Sequence, residues 1–140
     1  MRKLAIAAGM ATATLGTAVA TVQPSDAEAG PFLLFFDWAK PDINRDAAAV
    51  LDQAVSAYRR KADARLRIAG HTDRSGSASY NLLASRRRAE AVRAELARRG
   101  VPAGAMTLVA YGEERPIVPT EDGVREVQNR RVEISILSGG

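Results

Sequence analysis

Five consecutive polar residues, among them the only histidine of the chain, follow a strand-like run near the middle of the sequence. The segment GHTDRSGS covers residues 70–77 and comes directly after the run ARLRIA. Open α/β sheets usually hold ligands at the carboxyl ends of their strands. The carboxylate of Asp73 can accept hydrogen bonds from a cationic group, so the chemistry of the site depends on which residues lie opposite it.

The segment that follows, YNLLASRRRAEAV, reads as a helix with polar residues on one face. Asn81, Ser85 and Arg88 are four and three residues apart, and seven residues return an α-helix to within about 20° of the same direction. These three side chains therefore share a face. Because that face borders the apolar stripe of the helix, we expect Arg88 at the rim of the core. The other arginines of this helix are expected to project into solvent: Arg86, Arg87 and Arg93.

Asp73 and Arg88 can meet across a shallow cleft, and two interpretations of such a pair stay open. In the first, they form a structural salt bridge that ties the helix to the sheet. In the second, they are held apart and one ligand that carries both an ammonium and a carboxylate satisfies both. The head group of an amino acid has this property, because a carboxylate binds an ammonium and a guanidinium binds a carboxylate through two hydrogen bonds.

His71 invites a catalytic interpretation because it lies beside Asp73. The chain has no cysteine, and no serine lies in a recognisable nucleophile elbow. A single histidine does not complete a metal site of ordinary ligand spacing. We therefore expect no catalytic residue, no metal and no cofactor, and we expect the imidazole to be hydrogen-bonded in the turn.

Four strands and two helices are predicted around these residues. The strands are expected at PFLLFFDW, at residues 65–69, at MTLVAYG and at RVEISIL, and the helices over residues 44–60 and about 78–99. Ser77 is suited to cap the second helix, and Gly100 and Pro102 are suited to end it. The order β-α-β-α-β-β predicts an α/β sandwich, in which a mixed sheet has its helices packed on one face.

Apolar periodicity predicts which faces of these elements are buried. The first run has no polar alternation and is predicted to be a buried strand. In the last strand, Val132, Ile134 and Ile136 alternate with polar residues and are expected to face the core. The second helix has an apolar stripe with four members: Leu82, Ala89, Val92 and Leu96.

The bulk properties allow one ordinary domain. The chain has 140 residues, of which 46% are hydrophobic, and its 20 basic and 16 acidic residues give a formal charge of +4. This composition supports a core, and the positive charge favours anionic partners. The sequence contains no internal repeat or linker, so residues 30–140 are interpreted as a single domain.

The first 29 residues have the pattern of a secretory signal peptide. Two basic residues precede an apolar run rich in alanine and threonine, and Ala27 and Ala29 supply the small-x-small pattern of a cleavage site before Gly30. Cleavage after Ala20 also fits, and an uncleaved anchor stays open although the run is short for a membrane span. Export would place the mature chain in the periplasm. Because the chain has no cysteine, we expect neither a disulfide nor a covalent lipid anchor.

Four blocks of the sequence occur together in an order that resembles one family. They are FFDWAKPDI, IAGHTDRSGSASYNLLASRRRAEAVRAELARRGVP, YGEERPIVP and NRRVEISI, and they extend over about residues 32–137. The chain resembles the C-terminal domain family of outer-membrane protein A, the OmpA-like peptidoglycan-binding domain. The resemblance implies a β/α/β/α/β-β sandwich whose ligand is the diaminopimelate residue of the peptidoglycan stem peptide.

The resemblance also implies roles for individual residues. Asp73 matches the aspartate of the family's TD turn, Arg88 matches the arginine of its pattern N-x-x-L-S-x-x-R-A, and Asn81 matches the asparagine. Ser75 lies in the adjacent turn and is included in the expected site. Ala84 stands where the pattern has leucine, which loosens the packing near the site without removing a charge.

Further residues are assigned, or left unassigned, by their position. Arg130 and Arg131 begin the last strand, where alternation lets at most one of them point toward the cleft, and we assign Arg130 to the site. Asp37 is included because it can position ligand-facing backbone or cap the first helix. Trp38 is interpreted either as core or as a wall of the cleft. Arg125 receives no role, since its spacing to the NRRV block departs from that of the family.

Two functions from different classes remain. The first is a non-enzymatic periplasmic module that binds peptidoglycan in the organisation of the cell envelope. The second is an envelope adaptor whose domain mainly binds another envelope protein, with wall binding weak or lost. Nucleic-acid binding by the arginine-rich helix is not expected, because Glu90 and Glu95 are interleaved with the arginines, no aromatic platform accompanies them, and the chain is exported.

Overall fold

The computed structural model describes residues 31–139, which form four strands and two α-helices in the predicted order. The elements are β1 (Phe32–Phe35), α1 (Arg45–Arg59), β2 (Arg65–His71), α2 (Ala78–Arg98), β3 (Met106–Gly112) and β4 (Arg131–Leu137). Short 3₁₀ turns occupy Ala103–Ala105 and Val127–Asn129. Within residues 31–139, neither helix is both long and apolar enough to cross a membrane. The signal peptide predicted for residues 1–29 lies outside the described part of the chain.

The strands form one mixed sheet in the order β1-β4-β2-β3. β2 and β3 are parallel, whereas β4 runs antiparallel to both β1 and β2. One face of this sheet packs against both helices in a single core. Its fully buried side chains come from β2, β4, α1 and α2: Leu66, Ile68, Val132, Ile134, Leu51, Val92 and Leu96. The predicted α/β sandwich with helices on one face of a mixed sheet is therefore confirmed.

The first strand is less buried than its apolar run suggests. Side chains of β1 alternate between the core and the sheet face without helices, and the strand lies at an edge of the sheet. Leu34 and the following Phe36 are 1% exposed, whereas Phe35 is 39% exposed. The prediction of a buried strand is wrong at Phe35, because helices cover only one face of the sheet and the other face is open at this edge.

Side-chain caps define where both helices begin. Asn44 Oδ1 accepts a hydrogen bond of 2.8 Å from the amide of Ala47 at the start of α1. Ser77 Oγ accepts one of 3.2 Å from the amide of Tyr80, which confirms the predicted cap of α2. Each cap satisfies an amide that has no partner within its helix.

The apolar stripe of α2 is shorter than predicted. Ala89, Val92 and Leu96 are fully buried, but Leu82 is 50% exposed. In the first turns of the helix, the inward-facing positions belong to the polar residues Asn81 and Ser85 instead. Leu82 is therefore wrongly assigned to the core, because the same part of the helix faces a polar cleft and not the hydrophobic core.

A close contact between α2 and β2 fixes the position of that polar face. A Cβ atom at Gly70 would lie 2.1 Å from the backbone oxygen of Ser85, so only glycine permits this approach. The hydroxyl of Ser85 also accepts a hydrogen bond of 3.0 Å from the amide of Gly112 at the end of β3. These two contacts hold α2 over the carboxyl ends of the two parallel strands.

The long connection between β3 and β4 is held by one buried side chain. Asn129 Oδ1 accepts hydrogen bonds from the amides of Ile117 and Val118 at 2.8 and 2.9 Å, and its Nδ2 donates to the carbonyl of Val118 at 2.8 Å. This arrangement brings the end of the connection, including Glu126 and Arg130, beside the turn that follows β2.

Candidate ligand-binding site

Asp73 lies at the centre of a cleft beyond the end of β2 and is 2% exposed. Its Oδ1 accepts from the hydroxyl and the amide of Ser75 at 2.5 and 3.1 Å. Its Oδ2 accepts from Arg130 Nη1 at 2.9 Å and from the amide of Glu126 at 3.2 Å. The carboxylate is thus bound by groups from two loops that are far apart in the sequence.

These hydrogen bonds keep Asp73 ionised. Burial alone would raise its pKa, but the bonds from Ser75, Arg130 and Glu126 stabilise the charged form and outweigh burial. The pKa of Asp73 is therefore lowered below its ordinary value. The cleft therefore holds a buried anion at neutral pH.

Arg88 lies on the other side of the cleft and is 4% exposed. Its guanidinium donates to three backbone carbonyls: Lys40 at 3.5 Å, His71 at 3.4 Å and Asp37 at 3.4 Å. The guanidinium carbon also lies 5.7 Å from the centroid of the Phe36 ring. A guanidinium has five N–H donors, so two remain after these three long bonds.

Asp73 and Arg88 do not form a salt bridge with each other. The ion pair of Asp73 is with Arg130, and the polar partners of Arg88 are all carbonyl oxygens. Burial lowers the pKa of Arg88, while the charge of Asp73 raises it and that of Arg130 lowers it. Of the two interpretations left open above, the direct salt bridge is wrong. Asp73 and Arg88 are both buried beside the same cleft, but each is bonded to other groups.

The other inward-facing residues of α2 line the same cleft. Asn81 is 2% exposed, and its Nδ2 has no hydrogen-bond partner within residues 31–139. A Cβ at Gly76 would lie 3.5 Å from Asn81 Oδ1, so this amide lies beneath the turn that contains Asp73. Ser85 is engaged with the backbone of α2 and β3. The predicted common face is confirmed, and the neighbouring arginines point outward as expected: Arg86, Arg87 and Arg93.

Asp37 and Trp38 form the rim of the cleft. The side chain of Asp37 is exposed, and it is the backbone carbonyl that contacts Arg88. Trp38 is 47% exposed and donates from Nε1 to Ser75 Oγ at 3.0 Å, so it is a wall of the cleft and not a core residue. The guanidinium carbon of Arg125 lies 3.9 Å from the centroid of the Trp38 ring, which places a residue left without a role beside the site.

The two arginines at the start of β4 point to opposite sides, as alternation predicts. Arg130 bonds Asp73 and also donates from Nε to the carbonyl of Phe36 at 3.0 Å, so it links the turn after β2 to the segment after β1. Arg131 pairs with Glu133 on the other face of the sheet. Among the arginines of the NRRV block, only Arg130 therefore lines the cleft.

His71 does not make the hydrogen bond expected of it. β2 continues through His71 and points the imidazole to the sheet face without helices, where it stacks on Tyr111 with centroids 5.3 Å apart. Neither ring nitrogen has a hydrogen-bond partner within residues 31–139. The prediction of a hydrogen-bonded imidazole is wrong, because the residue belongs to the strand and not to the turn.

Sequence reasoning brought together most, but not all, of the groups around the cleft. Ser75 and Arg130 each bond Asp73, and the backbone carbonyl of Asp37 accepts from Arg88. The amide of Glu126 was missed, because a backbone donor leaves no signature in side-chain chemistry. In residues 31–139, no group of three or more histidine, aspartate or glutamate side chains is arranged to hold a metal ion.

Comparison with known proteins identifies this architecture. A model of the OmpA family matches residues 35–130. The chain belongs to the OmpA family. An outer membrane protein of Gluconacetobacter diazotrophicus is 42% identical to it over 109 residues, covering 74% of this chain and 29% of that protein. A peptidoglycan-associated lipoprotein of Rhizobium meliloti is 37% identical over 106 residues, covering 76% of this chain and 60% of that protein.

Solved structures of OmpA-like domains have the same fold. The crystal structure of the peptidoglycan-associated lipoprotein of Burkholderia pseudomallei is similar with a TM-score of 0.71 and 30% identity, over 82% of this chain and 97% of that one. The C-terminal domain of Helicobacter pylori MotB has a TM-score of 0.66 at 22% identity, over 78% of this chain and 84% of that one, and supports the fold alone.

The chain matches only part of the curated relatives, which limits the properties of theirs that can be assigned to it. It spans less than two thirds of the length of the two relatives described above. Neither relative is named for an enzymatic activity, which agrees with the expectation of a non-enzymatic domain.

Proposed function

We propose that the chain binds peptidoglycan non-covalently in the periplasm, through the free zwitterionic end of diaminopimelate in the stem peptide. The observation that carries this proposal is the pair of buried, oppositely charged side chains, Asp73 and Arg88, that face one cleft without bonding each other. A ligand with an ammonium and a carboxylate on the same carbon is complementary to such a pair. The names of the relatives, outer membrane protein and peptidoglycan-associated lipoprotein, agree with a role in organising the envelope.

Arg88 is the group proposed to bind the ligand carboxylate. Its three hydrogen bonds are long, at 3.4 to 3.5 Å, and two of its five N–H groups are left over. A carboxylate that accepts from both remaining donors adds a charge-assisted pair of hydrogen bonds in a buried setting. The unpartnered Nδ2 of Asn81 offers one more donor on the same face.

Asp73 is the group proposed to bind the ligand ammonium. Both of its oxygens already accept two hydrogen bonds, so the ammonium must share or displace one of these donors. The exchange is favourable if Arg130 moves from Asp73 to the incoming carboxylate, because both cations then keep an anionic partner. In this arrangement Ser75 and Glu126 hold the Asp73 carboxylate in place while the ligand ammonium replaces Arg130 as its ionic partner.

Co-sedimentation with purified sacculi tests the proposal. Asp73→Ala or Arg88→Ala is expected to weaken binding by about 2 to 5 kcal/mol, the range for removing one partner of a buried charge pair. Arg87→Ala is the matched control, because Arg87 is adjacent in sequence but exposed. It is expected to remove only general attraction, which added salt also removes.

Folding must be checked, since Arg88 holds three carbonyls of the native structure. Circular dichroism and thermal melting of each variant supply this check. Arg88→Lys is a second variant that keeps the charge but lacks the planar pair of donors, and it too is expected to bind weakly. Equal weakening by Arg87→Ala and Arg88→Ala in folded protein would mean that the helix is only a cationic surface.

Wall chemistry offers an independent test of the ligand. At its free end diaminopimelate presents an ammonium and a carboxylate, whereas lysine at the same stem position presents only the ammonium. Lysine-type wall is therefore expected to bind much more weakly, because Arg88 would gain no carboxylate to compensate for its loss of water. Comparable binding of both wall types would contradict the proposed role of Arg88.

A second candidate function is that of an envelope adaptor, and one observation favours it. Four apolar or aromatic side chains in the segments around the cleft are 42% to 50% exposed: Trp38, Tyr80, Val124 and Val127. Exposed aromatic and apolar residues are typical of protein interfaces. A folded chain that does not sediment with sacculi of either type would favour this function over wall binding.

A further inference from the structure

The sheet face opposite the helices carries a cluster of charged and aromatic side chains. In β2 and β4, Ile68 and Ile134 belong to the core, so the residues that alternate with them point to the other face. Five side chains from this face and its border meet in a group that we name the Tyr111 cluster: Arg67, His71, Tyr111, Arg115 and Arg131.

The ring of Tyr111 is the centre of the cluster. The guanidinium carbon of Arg115 lies 3.8 Å from the ring centroid and that of Arg67 lies 5.7 Å from it. Arg67 Nη2 also donates a hydrogen bond to the Tyr111 hydroxyl, and the His71 imidazole stacks on the ring. Arg131 joins the group through Nη2, which donates to the carbonyl of Arg115 at 3.0 Å.

The cluster has an excess of positive charge. Within residues 31–139, Glu133 is the one carboxylate that pairs with members of the cluster: it accepts from Arg131 Nε at 2.9 Å and lies 3.8 Å from His71 Nε2. Neither Arg67 nor Arg115 forms an ion pair with a carboxylate of residues 31–139. Three guanidinium groups therefore face a single carboxylate. Burial and the neighbouring arginines lower the pKa of His71 to about 4, so the imidazole is neutral at pH 7.

Two buried side chains of the cluster lack hydrogen-bond partners in the described part of the chain. Both ring nitrogens of His71 and Nη1 of Arg131 have none, although the two residues are only 2% and 4% exposed. Folded proteins leave few buried polar groups unpaired. A neutral imidazole has one N–H donor, so His71 and Arg131 each leave a buried donor unpaired. Two unpaired donors in one positively charged cluster indicate that a partner of negative charge belongs there.

We propose that the Tyr111 cluster is a binding site for a phosphate group. A phosphate monoester carries a charge of about −1.5 to −2 at pH 7 and several strong acceptor oxygens, which matches the excess of two guanidinium groups better than a carboxylate does. Guanidinium groups bind phosphate through paired N–H donors. Arg115 is exposed and Arg67 is half-buried, so both are reached from solvent, and the free Nη1 of Arg131 lies beside the backbone of Arg115.

The proposed ligand has two sources with the same chemistry, free phosphate and the phosphate monoester headgroup of a lipid surface. The site does not depend on the function proposed above, because the Tyr111 cluster and the Asp73 cleft lie on opposite sides of the sheet end. Consecutive residues of β4 separate them, since Arg130 bonds Asp73 whereas Arg131 bonds Glu133.

Calorimetric titration of the full chain with inorganic phosphate tests the site. We expect saturable binding of one phosphate per chain, at least tenfold weaker binding in Arg67→Ala and Arg115→Ala, and at least tenfold weaker binding of acetate than of phosphate. Arg93→Ala, which removes an exposed arginine of α2, is the matched control and is expected to bind as the unaltered chain does. Arg131 is left intact because it is buried and its replacement endangers the fold.

Vesicles distinguish the two sources. Binding to vesicles of phosphatidylcholine with phosphatidic acid, lost in Arg115→Ala and competed by inorganic phosphate, assigns the site to a lipid headgroup. Saturable binding of inorganic phosphate without vesicle binding assigns it to the free ion. Asp73→Asn is expected to leave either result unchanged, so failure at the wall-binding cleft is distinguishable from failure here. The proposal is overturned if phosphate does not saturate, if acetate binds equally well, or if Arg93→Ala weakens binding as much as Arg115→Ala.

Discussion

At the scale of single residues, His71 is a neutral ring among charges. Burial, followed by the charge of Arg131, lowers its pKa from 6.5 to about 4, while Glu133 acts in the opposite direction. The groups that face the ring come from its own strand, from the strands on both sides and from the connection after β3: Arg67, Tyr111, Arg131, Glu133 and Arg115. The folded protein therefore binds a proton at His71 less readily than the unfolded chain does.

This shift predicts a pH dependence of stability. Between pH 6.5 and 4 the unfolded chain is protonated at His71 and the folded protein is not, so the free energy of unfolding decreases as pH falls through this window. The full shift corresponds to a loss on the order of 3 kcal/mol. His71→Phe keeps a stacking ring without the titrating group and is expected to lose much less. Urea unfolding of both proteins at several pH values measures the difference, and parallel losses would show that other groups are responsible.

Individual site residues differed in how far the sequence could predict them. Asp73 and Arg88 were found because a carboxylate at a strand end and an arginine at helical spacing leave a side-chain pattern. That Asp73 pairs with Arg130 could not be read from that pattern, because the partner comes from a loop more than fifty residues away whose path depends on the buried Asn129. The prediction for His71 was wrong because the predicted strand ended at residue 69, whereas β2 continues to His71 and includes it.

At the scale of elements, the turn after β1 is strained where it covers Arg88. Ala39 has a φ of 59°, a conformation that costs a residue with a Cβ about 1 to 2 kcal/mol. The amide of Lys40 donates to the carbonyl of Asp37 at 3.2 Å, which closes the turn, and carbonyls of both residues accept from Arg88. The strained turn is therefore held partly by its contacts with the buried arginine.

Ala39→Gly is expected to stabilise the fold. Glycine removes the strain at positive φ but adds freedom to the unfolded chain, so the net gain is about 0.5 to 1 kcal/mol. Ala94→Gly is the matched control, because Ala94 is exposed in the middle of α2 and glycine there is expected to cost about 1 kcal/mol. Chemical denaturation gives both values. A destabilised Ala39→Gly would show that the turn is not strained in solution.

Elements with a clear period were predicted almost to their ends. β3 and β4 match the runs MTLVAYG and RVEISIL, and α2 begins at its predicted cap. The errors lie where one face of an element meets something other than the core. β1 is an edge strand, and the start of α2 faces a polar cleft, so Phe35 and Leu82 are exposed although their local pattern is apolar.

At the scale of the whole molecule, we propose that residues 1–29 are a signal peptide removed on export. The small-x-small pattern at Ala27 and Ala29 places the cut before Gly30. Protein recovered from the periplasm is therefore expected to begin at Gly30, and intact-mass measurement decides the point. Membrane-extracted protein that still carries Met1 would support an uncleaved anchor instead, and a mass that begins at residue 21 would support the earlier cut.

The contact between Gly70 and Ser85 sets the distance between the two charges of the cleft as well as the packing of α2 on β2. Asp73 follows β2 and Arg88 belongs to α2, so their separation is set where these two backbones touch, and a Cβ at Gly70 would force them apart. The spacing of the two charges thus depends on the absence of a side chain at Gly70. If the cleft binds a zwitterion as proposed, this contact also sets which distance between ammonium and carboxylate fits. The selectivity of the proposed site is therefore expected to change through substitutions beneath the cleft, even where Asp73 and Arg88 are kept.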